Sequence, residues 1–478
     1  MMTIKKISIF YFLLLFVSFA SSSDENKLPA TLEYKLDLRI DYVKKKLYGK
    51  CELTILNRTN QPIENIPILL YRLLTVKNVK DESNASLSFS QKVISISGWE
   101  QIQVNFIEIS LGKILLSGEQ RKIKLEYDGF LFGYSEEGMR YVKDHIDRNF
   151  TIIRTDGFGY PVIGYPNEQE MMIIAKEKYK YLINITVPKE MIVVTGGKLI
   201  NQIISDNETT FIFRSKKPSW RLDIAISDYI VLENGKNKVY YFASDSLGAL
   251  RVMNALQSSF ELYTNWFGPL INYQGFSIIE VPEGYSSQQD ITAIILSSDN
   301  FKMSKEMQTI YHEMAHLWNV TNLDRQPCRF ESEGFAQFLQ FLLQEKLDNK
   351  ENAVSNAAQM YLDRIRRTFI EKKEYQSIPM KDYGIRNMTN YSYTLGMVVF
   401  TILYDLVGQD HFNKIIGSFY KKYYLNGSSL REFINHFQKL APLNLEIFFN
   451  DWIYTTNGIR LVIEGKSLTE LINYYKGN

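Results

Sequence analysis

An α+β chain of two domains, an antiparallel β-sandwich followed by a mainly helical domain, is the fold class that three observations predict. The chain has 478 residues, and single hydrophobic cores stop growing at roughly 250–300 residues, so two large cores are expected. From about Leu28 to about Glu233 the apolar residues recur with period two, as they do in half-buried strands. Beyond Ser304 they recur at spacings of three and four, as they do on one face of a helix.

The strand pattern is clearest over Thr31–Leu56, where apolar and polar residues alternate. Shorter runs follow at Val93–Ile96, Lys113–Leu116, Lys122–Tyr127, Tyr181–Val187, Met191–Thr195 and Thr209–Phe213, with turn-forming clusters between them. Few stretches here could make a long amphipathic helix, which argues for packed antiparallel sheets. The pattern changes near residue 236, which divides the chain into domains 24–235 and 236–478. The second begins with a strand, Val239–Phe242, and a helix from Ser246 to about Trp266. Two strands, Phe276–Val281 and Ile291–Leu296, flank a polar loop, Pro282–Asp290. Helices are then predicted over Ser304–Trp318, Glu331–Leu347, Ala353–Glu371, Tyr391–Val407, His411–Tyr424, Leu430–Leu440 and Leu445–Thr455.

A net charge of +2 is too small to attract nucleic acid or an anionic membrane surface. The N-terminus carries more information. Lys5 and Lys6 precede an apolar run from Ile7 to Ala20, then Ser21, Ser22 and Ser23. A charged start, a short apolar segment and small residues describe a secretory signal peptide over residues 1–23. The run is shorter than the roughly 20 residues that span a bilayer. Secretion or a periplasmic location is therefore expected, with an uncleaved N-terminal membrane anchor as the alternative. Cys51 and Cys328 are the only cysteines; two so far apart define no disulfide framework, and both are expected free and buried.

Five histidines serve the chain, and two stand four apart in Tyr311-His312-Glu313-Met314-Ala315-His316. Positions four apart share a helix face, so both imidazoles can reach one ion. Met303, Met307, Ile310, Met314 and Leu317 recur at helical spacing, with Ser304 as the N-cap. Neutral imidazole is a good zinc ligand, and Glu313 between the two is placed to face a metal-bound water. A catalytic zinc takes three protein ligands. The next predicted helix opens Glu331-Ser332-Glu333-Gly334-Phe335-Ala336. On chemistry alone Glu331 and Glu333 are both candidates for the third ligand, and acids also suit any helix N-terminus.

His-Glu-Met-Ala-His followed by Ser-Glu-Gly-Phe-Ala resembles the gluzincin peptidases of the aminopeptidase N / leukotriene hydrolase type, whose second motif reads Asn-Glu-Gly-Phe-Ala. The resemblance implies that Glu333 is the third ligand, that one zinc ion binds per chain, and that the helical domain is thermolysin-like. It extends over most of the chain. Leu36–Lys50 is similar to the family's first strands, Lys216–Tyr229 to the end of its β-domain, and Phe448–Gly458 to the end of its catalytic domain. The family's C-terminal helical domains are expected to be missing, as the chain ends about twenty residues later. The family also has a Tyr three residues before a Gly that stabilises the oxyanion of the tetrahedral intermediate. Tyr393-Thr394-Leu395-Gly396 matches it among 31 tyrosines, with Tyr391 close by.

Three departures from the family matter. Sixteen residues separate His316 from Glu333, two fewer than is usual. Residues His316–Val320 are also similar to the glycyl aminopeptidases, whose spacing to the Glu is wider. Family aminopeptidases hold the substrate's α-amine with the Glu of a Gly-x-Met-Glu-Asn segment. Here the stretch reads Glu283-Gly284-Tyr285-Ser286-Ser287-Gln288-Gln289-Asp290, and Gln288 stands about where that Glu would be. An amide accepts from an ammonium group without neutralising it; Asp290, Glu283 or Glu168 are candidate substitutes. The implied function is zinc-dependent hydrolysis of peptides from the N-terminus, with Glu313 as general base and acid. The alternatives are an endopeptidase or narrow-specificity peptidase, and a zinc-stabilised binding protein without activity.

Overall fold

The chain is described by a computed structural model, which covers residues 28–134, 142–168, 170, 177–285, 288–290, 293–302, 307–321, 328–384 and 388–477. At 288–290 and 389 only the backbone is described. The expected signal segment, Met303 and Ser304 lie outside these residues.

Strands Ala30–Asp41 and Lys46–Leu56 form an antiparallel hairpin in which Leu36 faces Cys51 and Leu38 faces Gly49. Period-two alternation buries Leu36, Leu38 and Ile40 on one face and leaves Asp37 and Arg39 on the other. The hairpin lies within a seven-stranded sheet. Its order is Lys198–Ile204, Glu208–Arg214, Lys180–Pro188, Ala30–Asp41, Lys46–Leu56, Gln120–Gly129 and Leu74–Asp81. A four-stranded sheet, Phe89–Ile96, Trp99–Leu115, Ile63–Tyr71 and Val162–Ile163, shares one apolar core with it. The sandwich is antiparallel throughout these two sheets except where Ala30–Asp41 runs parallel to Lys180–Pro188. A third sheet, Ile192–Thr195, Asp223–Ser227 and Thr151–Arg154, completes the β-rich part. Cys51 and Cys328 are both buried and are not joined in a disulfide.

A five-stranded sheet begins the second part, in the order Ile230–Asn234, Asn237–Tyr241, Ser277–Val281, Ala293–Ser297 and Gln288–Asp290. Residue 236 lies in the turn of its first hairpin, so Ile230–Asn234 precedes that point yet pairs with Asn237–Tyr241. The sequence assigned Pro282–Asp290 to a loop and placed the sheet edge near Ile291–Leu296; the structure corrects both. Gln288–Asp290 is itself the edge strand, antiparallel to Ala293–Ser297. The physical reason is burial: all five residues of Ala293–Ser297 are buried, as in a strand covered on both faces and flanked on both sides. A polar edge in front of it carries no apolar periodicity to betray it.

That sheet is packed on both faces. Ile279, Val281, Ala293 and Ile295 join Ile152, Val194 and Ala225 of the three-stranded sheet in one apolar cluster. Ile278, Ile294 and Leu296 face the helices.

The helices follow the predicted periodicity closely. Ser246–Phe267, Ala353–Glu371, Thr389–Val407, Gln409–Tyr423 and Leu430–Leu440 lie within two residues of their expected ends. Three segments differ. The helix predicted over Ser304–Trp318 is α-helical over Gln308–Ala315, with Met307 rather than Ser304 at its N-cap, and ends in a 3₁₀ turn, His316–Trp318. The predicted helix from Glu331 opens with a π-helical turn, Phe330–Gly334, before the α-helix Phe335–Leu347. Leu445–Thr455 divides into Glu446–Phe449 and a second π turn, Asn450–Tyr454. Two short C-terminal helices, Asn457–Ile463 and Leu468–Lys476, are additional; Ser467 and Glu470 cap the latter reciprocally. Among the described residues no single helix is long and apolar enough to cross a membrane.

Candidate metal centre

The helix Gln308–Ala315 carries the histidine motif. Ile310 and Met314, four apart, are fully buried in the helical core, which turns His312 and His316 toward the opposite, half-buried face. Neighbouring helices fix its position. The Tyr311 hydroxyl donates to Asp348 at 2.8 Å, and the Tyr263 hydroxyl donates to the Tyr311 carbonyl at 3.0 Å. At His316 the coil tightens into a 3₁₀ turn, His316–Trp318, and the Trp318 indole donates to the Gly268 carbonyl at 2.9 Å.

Glu333 arrives from the π turn. The amide of Phe335 bonds back to the carbonyl of Phe330, five residues earlier, and wide turns of this kind recur at functional sites. Glu331 points elsewhere: its carboxylate accepts from the Thr321 hydroxyl at 3.3 Å, while its carbonyl accepts from the Asn319 amide at 2.9 Å. Ser332 lies 3.4 Å from His316 Nδ1. Of the two acids that chemistry alone left open, the structure therefore brings Glu333 to the histidines.

Three donor atoms converge there. His312 Nε2 and His316 Nε2 are 3.3 Å apart, and Glu333 Oε2 lies 3.3 Å from the first and 3.4 Å from the second. Zinc bonds of about 2.0–2.1 Å place tetrahedral donors about 3.3–3.4 Å from one another, so this donor triangle fits one face of a zinc tetrahedron. The three side chains are 12% exposed. Burial opposes the Glu333 charge, but the two imidazoles outweigh it and hold the carboxyl well below the usual carboxylate range.

Glu313 and Tyr393 flank the triangle. Burial pushes the Glu313 carboxyl up to about 7; Glu333 adds to the rise and His312 opposes it. The Tyr393 ring lies parallel to that of His312, with centroids 6.2 Å apart. Burial and then the Glu333 carboxylate, which its hydroxyl meets in a hydrogen bond, push the Tyr393 phenol up. Arg329 Nη1 stands 3.9 Å from Glu333 Oε1. Tyr391 instead packs on Phe369 and Tyr375, with centroids 5.1 and 5.8 Å away, so of the two tyrosines it is Tyr393 that shares the site.

Residues 288–452 match the family model described as Peptidase family M1 domain. Over these residues the chain is similar to a peptidase M1 domain. The M1 match begins at the edge strand Gln288–Asp290 and ends within the second π turn, so it spans the whole metal centre. Solved structures of the same fold extend the likeness across both parts of the chain. One is an M1 zinc metallopeptidase mutant from Deinococcus radiodurans bound to a Tyr-Ser-Ala substrate, at 16% identity and a TM-score of 0.62, covering 90% of this chain and 95% of that one. The M1 zinc metallopeptidase from the same organism without that mutation covers 92% and 95%, at 16% identity and a TM-score of 0.61. A third, a two-domain M1 zinc metallopeptidase mutant bound to L-arginine, covers 93% and 96% at 15% identity and a TM-score of 0.61. No curated protein matches the chain by sequence.

The candidate amine-binding residues are more dispersed. The backbone of Gln288 and Asp290 forms the sheet edge; their side chains lie outside the described residues. Glu283 lines a groove of about 540 Å³ with Arg148, Asp228, Asp245 and Lys302. Glu168 sits beside Gly98 at the Ile96–Trp99 hairpin, within the sandwich. Sequence reasoning had no signal for Tyr285, which the structure places between the two parts of the chain.

Proposed function

We propose that the chain is a zinc-dependent peptidase that removes N-terminal residues from peptides. The observation that carries this reading is the position of Glu313. It is not one of the three converging donors, yet it stands between the two histidines with a carboxyl pushed up to about 7, beside a half-buried phenol. A purely structural zinc site, normally closed by four protein ligands, has no use for either group. The M1 match and the tripeptide held by one structural neighbour support peptides as substrates.

His312, His316 and Glu333 hold one zinc ion in this reading, which when bound lowers the pKa of a water and polarises the scissile carbonyl. Glu313 accepts the proton of the attacking water and delivers it to the leaving amine. The Tyr393 hydroxyl donates to the oxygen on which negative charge develops. The edge strand Gln288–Asp290 holds the substrate backbone by strand addition. The same proposal places the protein outside the cytoplasm, with residues 1–23 as a cleaved leader; N-terminal sequencing of the exported protein reads this directly.

A second reading, an endopeptidase, is favoured by Gln288-Gln289-Asp290 in place of a Gly-x-Met-Glu-Asn segment. One peptide offered with a free and an N-acetylated terminus separates the two. Hydrolysis of the free form alone is expected, and equal hydrolysis of both would transfer the assignment to the endopeptidase. Zinc at one per chain with neither form cut, in this pair or in a peptide library, would leave a binding protein.

A further inference from the structure

Tyr285 belongs to the segment that leads into the edge strand, but its side chain is buried among residues of the sandwich domain. The ring meets Phe150 edge-on, with centroids 5.1 Å apart. Lys143 Nζ and the Arg154 guanidinium each lie 5.8 Å from the ring centre. Its hydroxyl stands 3.2 Å from the Lys143 carbonyl and 3.1 Å from His145 Nδ1. Only 4% of Tyr285 is exposed, so these contacts across about 140 positions of sequence define where the segment runs.

The sandwich side of this contact is built to stay in place. Arg154 is fully buried and donates to Asp144 through both Nε, at 3.0 Å, and Nη2, at 2.6 Å. Arg221 ties Asp156 and Asp223 to the same region. Buried ion pairs add little net stability but are costly to rearrange, so they hold geometry better than they add free energy. Ala293 and Ile295, which neighbour the edge strand, pack against the three-stranded sheet from the same side.

We infer that Tyr285 is a positioning residue for substrate: by anchoring the segment 282–285 to the sandwich domain, it fixes the height and register at which Gln288–Asp290 presents its backbone to a peptide. The inference rests on the peptidase reading above. It assigns the sandwich domain a part in substrate binding and leaves the zinc donors untouched. The loss expected from releasing the anchor is of uniform binding, which raises KM and spares kcat.

The full-length zinc-loaded protein with Tyr285→Ala tests this. KM for a peptide should rise on the order of tenfold with kcat within about twofold and zinc content unchanged. Tyr285→Phe retains the ring contacts and should recover most of the loss. Hydrogen–deuterium exchange supplies a readout that needs no turnover. Amides at 288–290 should exchange faster in Tyr285→Ala, and those of Gln308–Ala315 should not. If the wild type cleaves no peptide, the peptidase reading falls while exchange still decides the anchor. If Tyr285→Ala does not fold, Tyr285→Phe decides: a smaller KM rise with faster edge exchange supports the inference. Unchanged KM and unchanged exchange, or a fall in kcat with KM constant, would overturn it.

Discussion

Gly334 and Gly396 touch backbone to backbone: a β-carbon on Gly334 would stand 2.6 Å from the Gly396 Cα, and one on Gly396 would stand 2.9 Å from the Gly334 Cα. Neither residue has a positive φ, so the requirement is for space between two segments rather than for an unusual turn. Gly334 follows Glu333 directly, and Gly396 lies one helical turn beyond Tyr393. The contact therefore brings the phenol to Glu333. Phe330, stacked on Phe400 with centroids 5.6 Å apart, closes the same seam.

Gly396→Ala should separate the two segments. A contact of 2.9 Å against backbone cannot be relieved by a side-chain rotation, and overpacking of this kind costs about 1–3 kcal/mol. Because the displaced element carries Tyr393, kcat should fall by at least about tenfold with one zinc still bound. Metal analysis and steady-state kinetics on the same preparation check both halves of the expectation.

The metal motif was legible because a spacing of four has only one meaning on a helix, and Ile310 and Met314 supply that helix on the opposite face. The third donor was not legible from residue chemistry. An α-helical reading of Glu331-Ser332-Glu333 cannot show the π turn that sends Glu333 to the histidines and Glu331 toward Thr321. The family's Glu-Gly pair carried that choice. The edge strand was missed because Gln288-Gln289-Asp290 has no apolar residue to alternate. Tyr285 was missed because a contact with Lys143 and His145 leaves no periodic trace in sequence. Helix ends were easier, since Ala353–Glu371 and Leu430–Leu440 are marked by uninterrupted apolar stripes.

Glu313→Gln should abolish measurable turnover while leaving the zinc in place. The amide matches the carboxylate in shape but cannot take a proton from water. Losses of general acid–base catalysis are on the order of 10²–10⁴-fold, and His312, His316 and Glu333 are unaltered. Retention of wild-type kcat in this variant would remove Glu313 from its assigned role.

Tyr393→Phe should lower kcat by on the order of 10²–10³, the usual loss for one oxyanion donor, with KM nearly constant. Tyr391→Phe is the matched control. Its ring packs on Phe369 and Tyr375, and its kinetics should stay within about twofold of wild type. A larger effect at Tyr391 than at Tyr393 would reverse the assignment of the two phenols.

Chelation should lower the melting temperature. The donor triangle joins the helix Gln308–Ala315 to the π turn Phe330–Gly334, so an ion held there binds the folded chain and not the unfolded one. Free zinc at a thousandfold above its dissociation constant adds about 4 kcal/mol by mass action. Calorimetry with and without a chelator measures the shift, and added zinc should restore it. Glu333→Ala should melt at one temperature under both conditions.

Glu280 offers a pH effect separate from catalysis. Its side chain is fully buried at the sheet between the two parts of the chain. Its carboxylate accepts from the Phe242 amide and from the Ser298 hydroxyl, each at 2.7 Å. Burial pushes its pKa up to about 7 in spite of these bonds, and Asp245 adds to the rise. In the unfolded chain a Glu titrates near 4.3. The folded state therefore holds the proton more tightly. The stabilisation is fully present below the unfolded pKa, and it is lost as pH rises from about 4.3 through about 7, where the buried group must ionise. The full difference is roughly 4 kcal/mol at 1.36 kcal/mol per pKa unit. Urea unfolding of wild type and Glu280→Gln between pH 5 and 8 isolates the term, because every other titrating group is common to both. The variant should gain stability relative to wild type as pH rises from 5, and the difference should level off above about 7. A stability difference that stays flat across that window would show that Glu280 titrates at an ordinary pKa.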